Sequence, residues 1–445
     1  MARLFGTDGI RGVANADLTP ELAARVGRAA GATLGASGAP FLIGRDTRIS
    51  GPMLEAAIAA GLCSVGVHVE LGGILPTPAI AYLTRQRGAA CGVVISASHN
   101  PVEDNGIKLF GPDGFKLPDA VEDTIEALID QTPPMRPTGA DVGMIRAAPE
   151  GEDRYLAYLI GLSHGGLTGL RIAVDCAYGA AYRLAPLLWA ALGATVIPLH
   201  DEPDGRRINV ACGSTHLEPL RRAVAANGAD VGFAHDGDAD RVLAVDERGE
   251  DVDGDAIMGI TALDRHACGT LTRATVVATV MSNVGLEEAL RNAGIRLERA
   301  KVGDRYVLER MRELGVTLGG EQSGHVIFLD RATTGDGLVT AIEVTNVMIR
   351  TGRRLSELRR AIPRYPQVLV NVRVRERDGV ATSAAVARAV AAAEARLASR
   401  GRILVRPSGT EPLMRVMVEA EHQSEAEGIA AEVASVISRH YGART

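Results

Sequence analysis

Short apolar runs alternate along most of the chain with segments of helical period. Residues 91–95, 229–234 and 242–246 are strand-like; 170–174 is followed by a helix-like 180–192, and 275–280 by 285–292. Through 42–130, 171–246 and 274–350 this alternation predicts mostly parallel sheets covered by helices, with function at the strand ends. The tail departs from it. A strand at 368–374, a helix at 380–399, strands at 402–405 and 413–419 and a helix at 424–440 make a small α+β module. The prolines at 363 and 366 mark the break before it. The expected division is 1–152, 153–252 and 253–366, three similar mixed- or parallel-sheet α/β domains, then 367–445.

Length supports several cores, because 445 residues exceed what one core usually fills. A net charge of −6 with 46% hydrophobic residues gives no reason to expect nucleic acid as a partner. No apolar run approaches a membrane span, and the start lacks a basic segment followed by an apolar one, so a cytoplasmic protein with no membrane partner is expected. Cys63, Cys91, Cys176, Cys212 and Cys268 have neither metal nor redox spacing and read as buried thiols of a reducing compartment. Of 48 basic residues only Lys108, Lys116 and Lys301 are lysines. A lysine can be tuned to release its proton and an arginine cannot, which makes the three candidates for such work. Lys116, in the turn-rich Gly111-Pro112-Asp113-Gly114-Phe115 neighbourhood, reads equally well as a surface residue.

Asp236-Gly237-Asp238-Ala239-Asp240-Arg241 carries the clearest chemistry. Alternation along an extended segment would turn the three carboxylates to one side, where they suit a hard divalent cation. An EF-hand opens in the same way, but its sixth position needs glycine and here holds Arg241. Ser96-Ala97-Ser98-His99-Asn100-Pro101 follows a strand, with Ser98 and His99 as candidate catalytic groups. No G-x-S-x-G elbow frames Ser98, and adjacent side chains of an extended segment point apart, so acyl transfer fits poorly. A phosphorylated serine beside a cation held by aspartates fits better. Gly320-Glu321-Gln322-Ser323-Gly324-His325 offers acceptor and donor for sugar hydroxyls, and Arg406-Pro407-Ser408-Gly409-Thr410-Glu411-Pro412, with Arg415, offers a phosphate cradle.

These four loops in order, with the opening Phe5-Gly6-Thr7-Asp8-Gly9-Ile10-Arg11-Gly12, resemble the α-D-phosphohexomutase superfamily over the whole chain. The resemblance implies four domains around a central cleft and an isomerase that moves a phosphoryl group within a phosphosugar. By that resemblance Ser98 is the serine that carries phosphate, and Asp236, Asp238 and Asp240, with Ser98, are the ligands of one Mg²⁺ per subunit. Arg11 and Arg241 lie near the transferring group, and Lys108 is a general acid/base. Glu321 and Ser323 hold sugar hydroxyls, Lys301 lies close to substrate, and Arg406, Ser408, Gly409 and Thr410 grip the phosphate that is not being transferred. Within the superfamily the opening motif, the sugar loop and Lys301-Val302-Gly303-Asp304-Arg305-Tyr306 resemble the members that act on amino-sugar phosphates, and that resemblance implies glucosamine phosphates as substrate, a step toward amino-sugar and cell-wall precursors. A homodimer is the expected assembly. A Mg²⁺-dependent phosphatase and a sugar-binding protein without turnover remain as rivals.

Overall fold

Residues 3–6, 8–131, 136–376, 379–398, 400–408 and 412–442 are described by the computed structural model. Contacts divide the chain into two units, one of residues 1–281 and 295–361, the other of residues 282–294 and 362–445.

The first unit contains three sheets. The first sheet is built from β1 (Ile10–Val13), β2 (Phe41–Arg45), β3 (Val69–Ile74), β4 (Cys91–Ile95), β5 (Asp104–Phe110) and β6 (Ile145–Ala147), in the spatial order β1-β5-β4-β2-β3-β6. Its β4, β2, β3 and β6 run parallel, while β5 is antiparallel to both β4 and β1. The second sheet holds β7 (Arg171–Asp175), β8 (Thr195–Leu199), β9 (Val231–His235), β10 (Val242–Asp246) and β11 (Asp251–Val252), ordered β11-β10-β9-β7-β8. Strand β7 is parallel to β8 and β9, and β10 turns back antiparallel to β9. In the third sheet β12 (Thr275–Thr279) is parallel to β13 (Arg296–Ala300) and β14 (Leu318–Gly320), and β15 (Val326–Phe328) returns antiparallel to β14.

A common rule emerges from the three sheets. Each is parallel until one short connection folds the chain back as an antiparallel neighbour, and that connection is one of the loops singled out above: β4 to β5, β9 to β10 and β14 to β15. Strands of the parallel parts are buried on both faces, which explains their continuous apolar runs. Trp189, on helix Leu184–Ala191, stacks on Phe233 of β9 at 5.4 Å between ring centroids. Helix Pro20–Leu34 is capped by Thr19, whose Oγ accepts from the Leu22 amide at 3.2 Å, and helix Gly337–Thr351 by Asp336, which accepts from the Leu338 and Val339 amides.

The expected helix at 180–192 begins only at Leu184. The preceding residues are committed elsewhere, since the Ala180 amide donates to the Gly237 carbonyl at 2.8 Å. Cys268 is exposed, in contrast to the other four thiols, which are buried as expected; it follows the last turn of helix Gly254–Ala267, beyond the sheet's cover. Among the described residues no helix is long and apolar enough to cross a membrane.

The second unit has an antiparallel sheet, β16 (Gln367–Arg373), β17 (Gly401–Pro407) and β18 (Leu413–Ala420), ordered β16-β18-β17, with helices Ala384–Leu397 and Gln423–Tyr441 packed on it. Helix Val284–Asn292 belongs to this unit by contact. Asn283 exchanges two hydrogen bonds with Tyr365, of 2.9 and 3.0 Å, and the Val284 amide donates to the buried Glu419 at 2.9 Å. The segment at 363–365 is thereby tied down against 283–288, where the Tyr365 hydroxyl donates to Glu288 at 2.6 Å.

Candidate active site

The aspartate run forms a tight turn between β9 and β10 rather than an extended segment, with Ala239 at φ 56°. Convergence of the carboxylates therefore comes from the turn and not from strand alternation. One oxygen of each of Asp236, Asp238 and Asp240 lies within 4.8 Å of the others, and all three residues are buried. Thr77, at the start of helix Thr77–Arg87, donates its hydroxyl to Asp238 Oδ2 at 2.6 Å, and its amide donates to the Asp238 carbonyl at 3.0 Å. The site fits a hard divalent cation on two counts. Asp238 Oδ1 and Asp240 Oδ1 are buried and accept no hydrogen bond. In addition, burial and repulsion from Asp240 and Asp238 drive Asp236 well above the usual carboxylate range, an electrostatic demand that a cation relieves.

Ser98 faces this turn. Its Oγ donates to Asp236 Oδ2 at 2.6 Å and lies 3.3 Å from His99 Nδ1. The expectation that Ser98 and His99 point apart fails because Ser98 is not extended: its φ is 52°. This does not make a hydrolytic triad, since the carboxylate binds the serine and leaves the histidine unoriented. Burial, Arg241 and Arg11 push His99 down to about 4, so at neutral pH it is an uncharged ring.

The serine's backbone is held from several sides. Ser96 Oγ accepts from the Ser98 amide at 2.9 Å and donates to Asp46 at 2.7 Å. Arg48, wholly buried and paired with Asp46 at 3.0 Å, donates to the carbonyls of Ser98 (3.0 Å), Asn100 (2.8 Å) and Asp104 (2.9 Å). Asn209 donates to the Ser98 carbonyl at 2.8 Å. Gly237 is required here: a Cβ would sit 2.6 Å from the Ser98 carbonyl oxygen. Asp46, Arg48, Thr77 and Asn209 escape sequence reading because each lies far along the chain from the loops it braces.

Lys108, on β5, is buried, with Nζ 2.8 Å from Asp238, 3.0 Å from Asp8 and 3.5 Å from Asp240. Burial alone would lower its pKa, but these carboxylates raise it well above the ordinary lysine value, so it stands as an ammonium. Lys116 is not a surface residue. It is half-buried, with its amine paired to both Asp8 and Asp304, because the turn at 111–115 folds the chain back, with Phe110 bridged to Lys116. Lys301 is exposed and sits over the Tyr306 ring at 5.7 Å.

A cavity of about 410 Å³ opens beside this cluster, a size that suits a small ligand. Asp8, Arg11, His99, Arg241, Glu321 and His325 are among its walls. Arg11 donates to Asn100 at 3.0 Å and pairs with Asp8, and Arg241 Nε lies 3.8 Å from Asp240. Glu321 accepts from the Gly303 amide at 3.0 Å, which joins the sugar loop to the start of helix Asp304–Leu314. His325 links the loops further, lying 3.7 Å from both Asp240 and Asp304. Gly324, at φ 93°, lets the loop lie on β10; a Cβ would be 2.3 Å from the Val242 carbonyl oxygen. Ser323 is exposed and does not line the cavity.

In the second unit Arg406 and Arg415 face each other across β17 and β18, and Arg415 lies 3.5 Å from the Ser408 hydroxyl. Burial and the like charge of Arg415 lower the pKa of Arg406. Gly409 and Thr410 lie outside the described residues.

Four family models match in succession: phosphoglucomutase/phosphomannomutase alpha/beta/alpha domain I at residues 2–135, domain II at 153–249, domain III at 253–365 and the C-terminal domain at 369–436. A phosphoglucosamine mutase of Moorella thermoacetica is 56% identical, covering 98% of this chain and 100% of the relative. A solved phosphoglucomutase/phosphomannomutase family protein of Burkholderia thailandensis superposes with a TM-score of 0.82 at 25% identity, covering 98% of this chain and 97% of that one. The Aspergillus fumigatus N-acetylphosphoglucosamine mutase, solved with GlcNAc-6P and magnesium, has the same fold at 20% identity and a TM-score of 0.69, covering 98% and 95%.

Proposed function

Because the chain belongs to the phosphoglucosamine mutases of the phosphoglucomutase/phosphomannomutase family, isomerases that move a phosphoryl group within a sugar phosphate, we propose that it interconverts glucosamine 6-phosphate and glucosamine 1-phosphate. The observation that carries the reading is Ser98 Oγ held 2.6 Å from Asp236, next to Asp238, Asp240 and Lys108.

In this reading Ser98 carries a phosphoryl group in the active enzyme, and Asp236, Asp238 and Asp240 would hold one Mg²⁺ beside it. The ion supplies neutralisation of charge on the group in transfer. The bond from phosphorus to Ser98 Oγ breaks as a bond to the free hydroxyl of the sugar monophosphate forms, giving a bisphosphate. The bisphosphate then returns its other phosphoryl group to Ser98. Over the two transfers one proton leaves the accepting hydroxyl and one joins the hydroxyl released, and Lys108 is the proposed carrier. Its ion pairs keep it protonated, so it enters as the acid.

Ser96, Arg48 and Asn209 fix the serine's main chain so that Oγ keeps one direction, which is where positioning contributes to rate. Arg11 and Arg241 offer guanidinium donors from the cavity wall to phosphoryl oxygens, with neutral His99 between them and Ser98 as a donor or acceptor. Glu321 and Ser323 take sugar hydroxyls, Lys301 swings from Tyr306 toward substrate, and Arg406, Ser408, Gly409, Thr410 and Arg415 take the phosphate that is not being transferred. A cytoplasmic homodimer completes the reading.

The test is an intact-mass measurement on the purified protein combined with a mutase assay. Expected are one stable phosphoryl group and a kcat/KM that is highest for glucosamine 1-phosphate, lower for glucose 1-phosphate and lowest for mannose 1-phosphate. Steady release of inorganic phosphate would make the protein a phosphatase instead, and neither phosphate incorporation nor turnover would leave a sugar-binding protein.

A further inference from the structure

Behind the aspartate turn, three loops of the second sheet bring together donors that the reaction does not use. Asp175 closes β7 and is wholly buried; its Oδ1 accepts from the Ala177 amide at 2.9 Å, and its Oδ2 accepts from the Gly213 amide at 3.0 Å. His200, just past β8, places Nδ1 2.9 Å from Asp175 Oδ1. Cys212 completes the group, with its sulfur, the imidazole nitrogen and a carboxylate oxygen all within 4.8 Å of one another. We propose that Asp175, His200 and Cys212 form a second metal site, built for one borderline-soft transition-metal ion of the zinc type and separate from the hard-cation site of the aspartate turn.

The donor set makes the distinction. Thiolate, imidazole and carboxylate together suit Zn²⁺ in a four-coordinate site with one position left for water, and suit Mg²⁺ poorly, since that ion prefers oxygen in an octahedron. Asp175 already has what a ligating carboxylate needs behind it, two backbone amides that fix its orientation. Entry is provided by His200, whose side chain is 21% exposed while Asp175 and Cys212 are buried.

Burial and the charge of Asp175 push the Cys212 thiol up to about 12, so without a metal it stays protonated. Binding breaks its S–H bond, forms a metal–sulfur bond and releases the proton to solvent. The backbone is tensed around the group: Ala177, Tyr178, His200, Asn209 and Ala211 all have φ between 49° and 62°, conformations that persist only where the surroundings impose them. The same loops hold the active site, through Asn209 on the Ser98 carbonyl and Ala180 on the Gly237 carbonyl. An ion here would brace the turn that presents Ser98.

Cobalt is the probe, because thiolate-to-cobalt charge transfer absorbs in the near ultraviolet whatever the enzyme's activity. The full chain, stripped of metal and titrated with Co²⁺, should give this band at one ion per chain, with Zn²⁺ displacing it and millimolar Mg²⁺ not. The band should vanish in Cys212→Ser and survive in Cys268→Ser and Asp238→Asn. His200→Gln, at a partly exposed position, should weaken cobalt binding by at least about tenfold, and it carries the test if Cys212→Ser does not fold. No band, a band lost with Cys268→Ser, a band displaced by Mg²⁺, or unchanged affinity in His200→Gln would overturn the site and leave Asp175 as a turn-organising carboxylate.

Discussion

The loops around Ser98 and the arginine pair of the second unit both handle phosphate in the proposed reaction, yet they are built in opposite ways. Around Ser98 the charges of both signs are the protein's own: Asp8, Asp238 and Asp240 against Lys108, and Asp46 against Arg48, nearly all buried. Across β17 and β18 two like charges face each other, and Arg406 has its pKa lowered for it. A network of interlocked charges, whose unmet demand is for a cation at the aspartate turn, is preorganised and loses much when one member is removed. The arginine pair acts in the proposed reaction only by contact with a phosphate that is not transferred, and losing one member mainly weakens binding. The two regions should therefore fail differently, one in kcat and the other in KM.

The largest effect is expected for Ser98→Ala. Phosphate incorporation should disappear and turnover fall by more than about 10³-fold, as for loss of a covalent nucleophile, whereas Ser96→Ala should stay phosphorylated but turn over more slowly, since Ser96 aligns the Ser98 amide. Intact mass and steady-state kinetics check both; phosphate retained at the active site of Ser98→Ala would refute the assignment. Next comes Asp238→Asn, which should lower kcat about 10²- to 10³-fold with little change in KM. A KM effect alone would break the comparison at its first term.

Lys116 gives a third measure, this time of stability. Replacing it with methionine takes their shared cation from Asp8 and Asp304; since the pair is half-buried and Asp8 keeps Lys108 and Arg11, the loss should lie between the ~1 kcal/mol of an exposed pair and the ~3 kcal/mol of a buried one. Thermal or urea unfolding should register a loss on that scale, and a neutral result would mean that solvent already screens the pair. Arg415→Ala is the counterpart in the second unit. It should raise KM about tenfold, the size of one charge-assisted contact, leave kcat within a factor of about two, and abolish the stabilisation of the protein by inorganic phosphate.

The smallest effect concerns Asp336, which caps helix Gly337–Thr351 and is pushed up to about 6 by burial. A carboxyl whose folded pKa lies above its unfolded value of about 3.9 contributes stability that is present below the unfolded value and is lost as pH rises through the folded one. Asn at this position keeps a cap without the charge, so the melting temperature of Asp336→Asn should gain on that of the parent between about pH 4 and 6. A constant difference across that range would mean that Asp336 is ionised throughout.

Much of the candidate site could be read from the residues alone. Local pattern suffices for apolar strands, as at Cys91–Ile95 and Val242–Asp246, where the expected and observed limits coincide, and for loops whose composition is itself chemistry, such as the three aspartates. Pattern misleads where a residue's conformation is imposed by something distant. Ser98 in the left-handed region, beside His99, is held by Ser96, Arg48 and Asn209, and the late start of helix Leu184–Ala191 follows from the bond of Ala180 to the aspartate turn.

What the sequence determined by itself, then, is the order of elements, the three α/β repeats with their smaller C-terminal partner, and the kinds of group the loops carry, because hydrophobic period and side-chain chemistry are local properties. Only the tertiary structure decided who compensates whom. Lys116 changes from an apparent surface residue into a half-buried bridge, Arg48 becomes the clamp on the Ser98 loop, and helix Val284–Asn292 joins the C-terminal unit. Charge pairing and burial act through space at a few ångströms between residues separated by tens to hundreds of positions, and no local window of the sequence contains both partners.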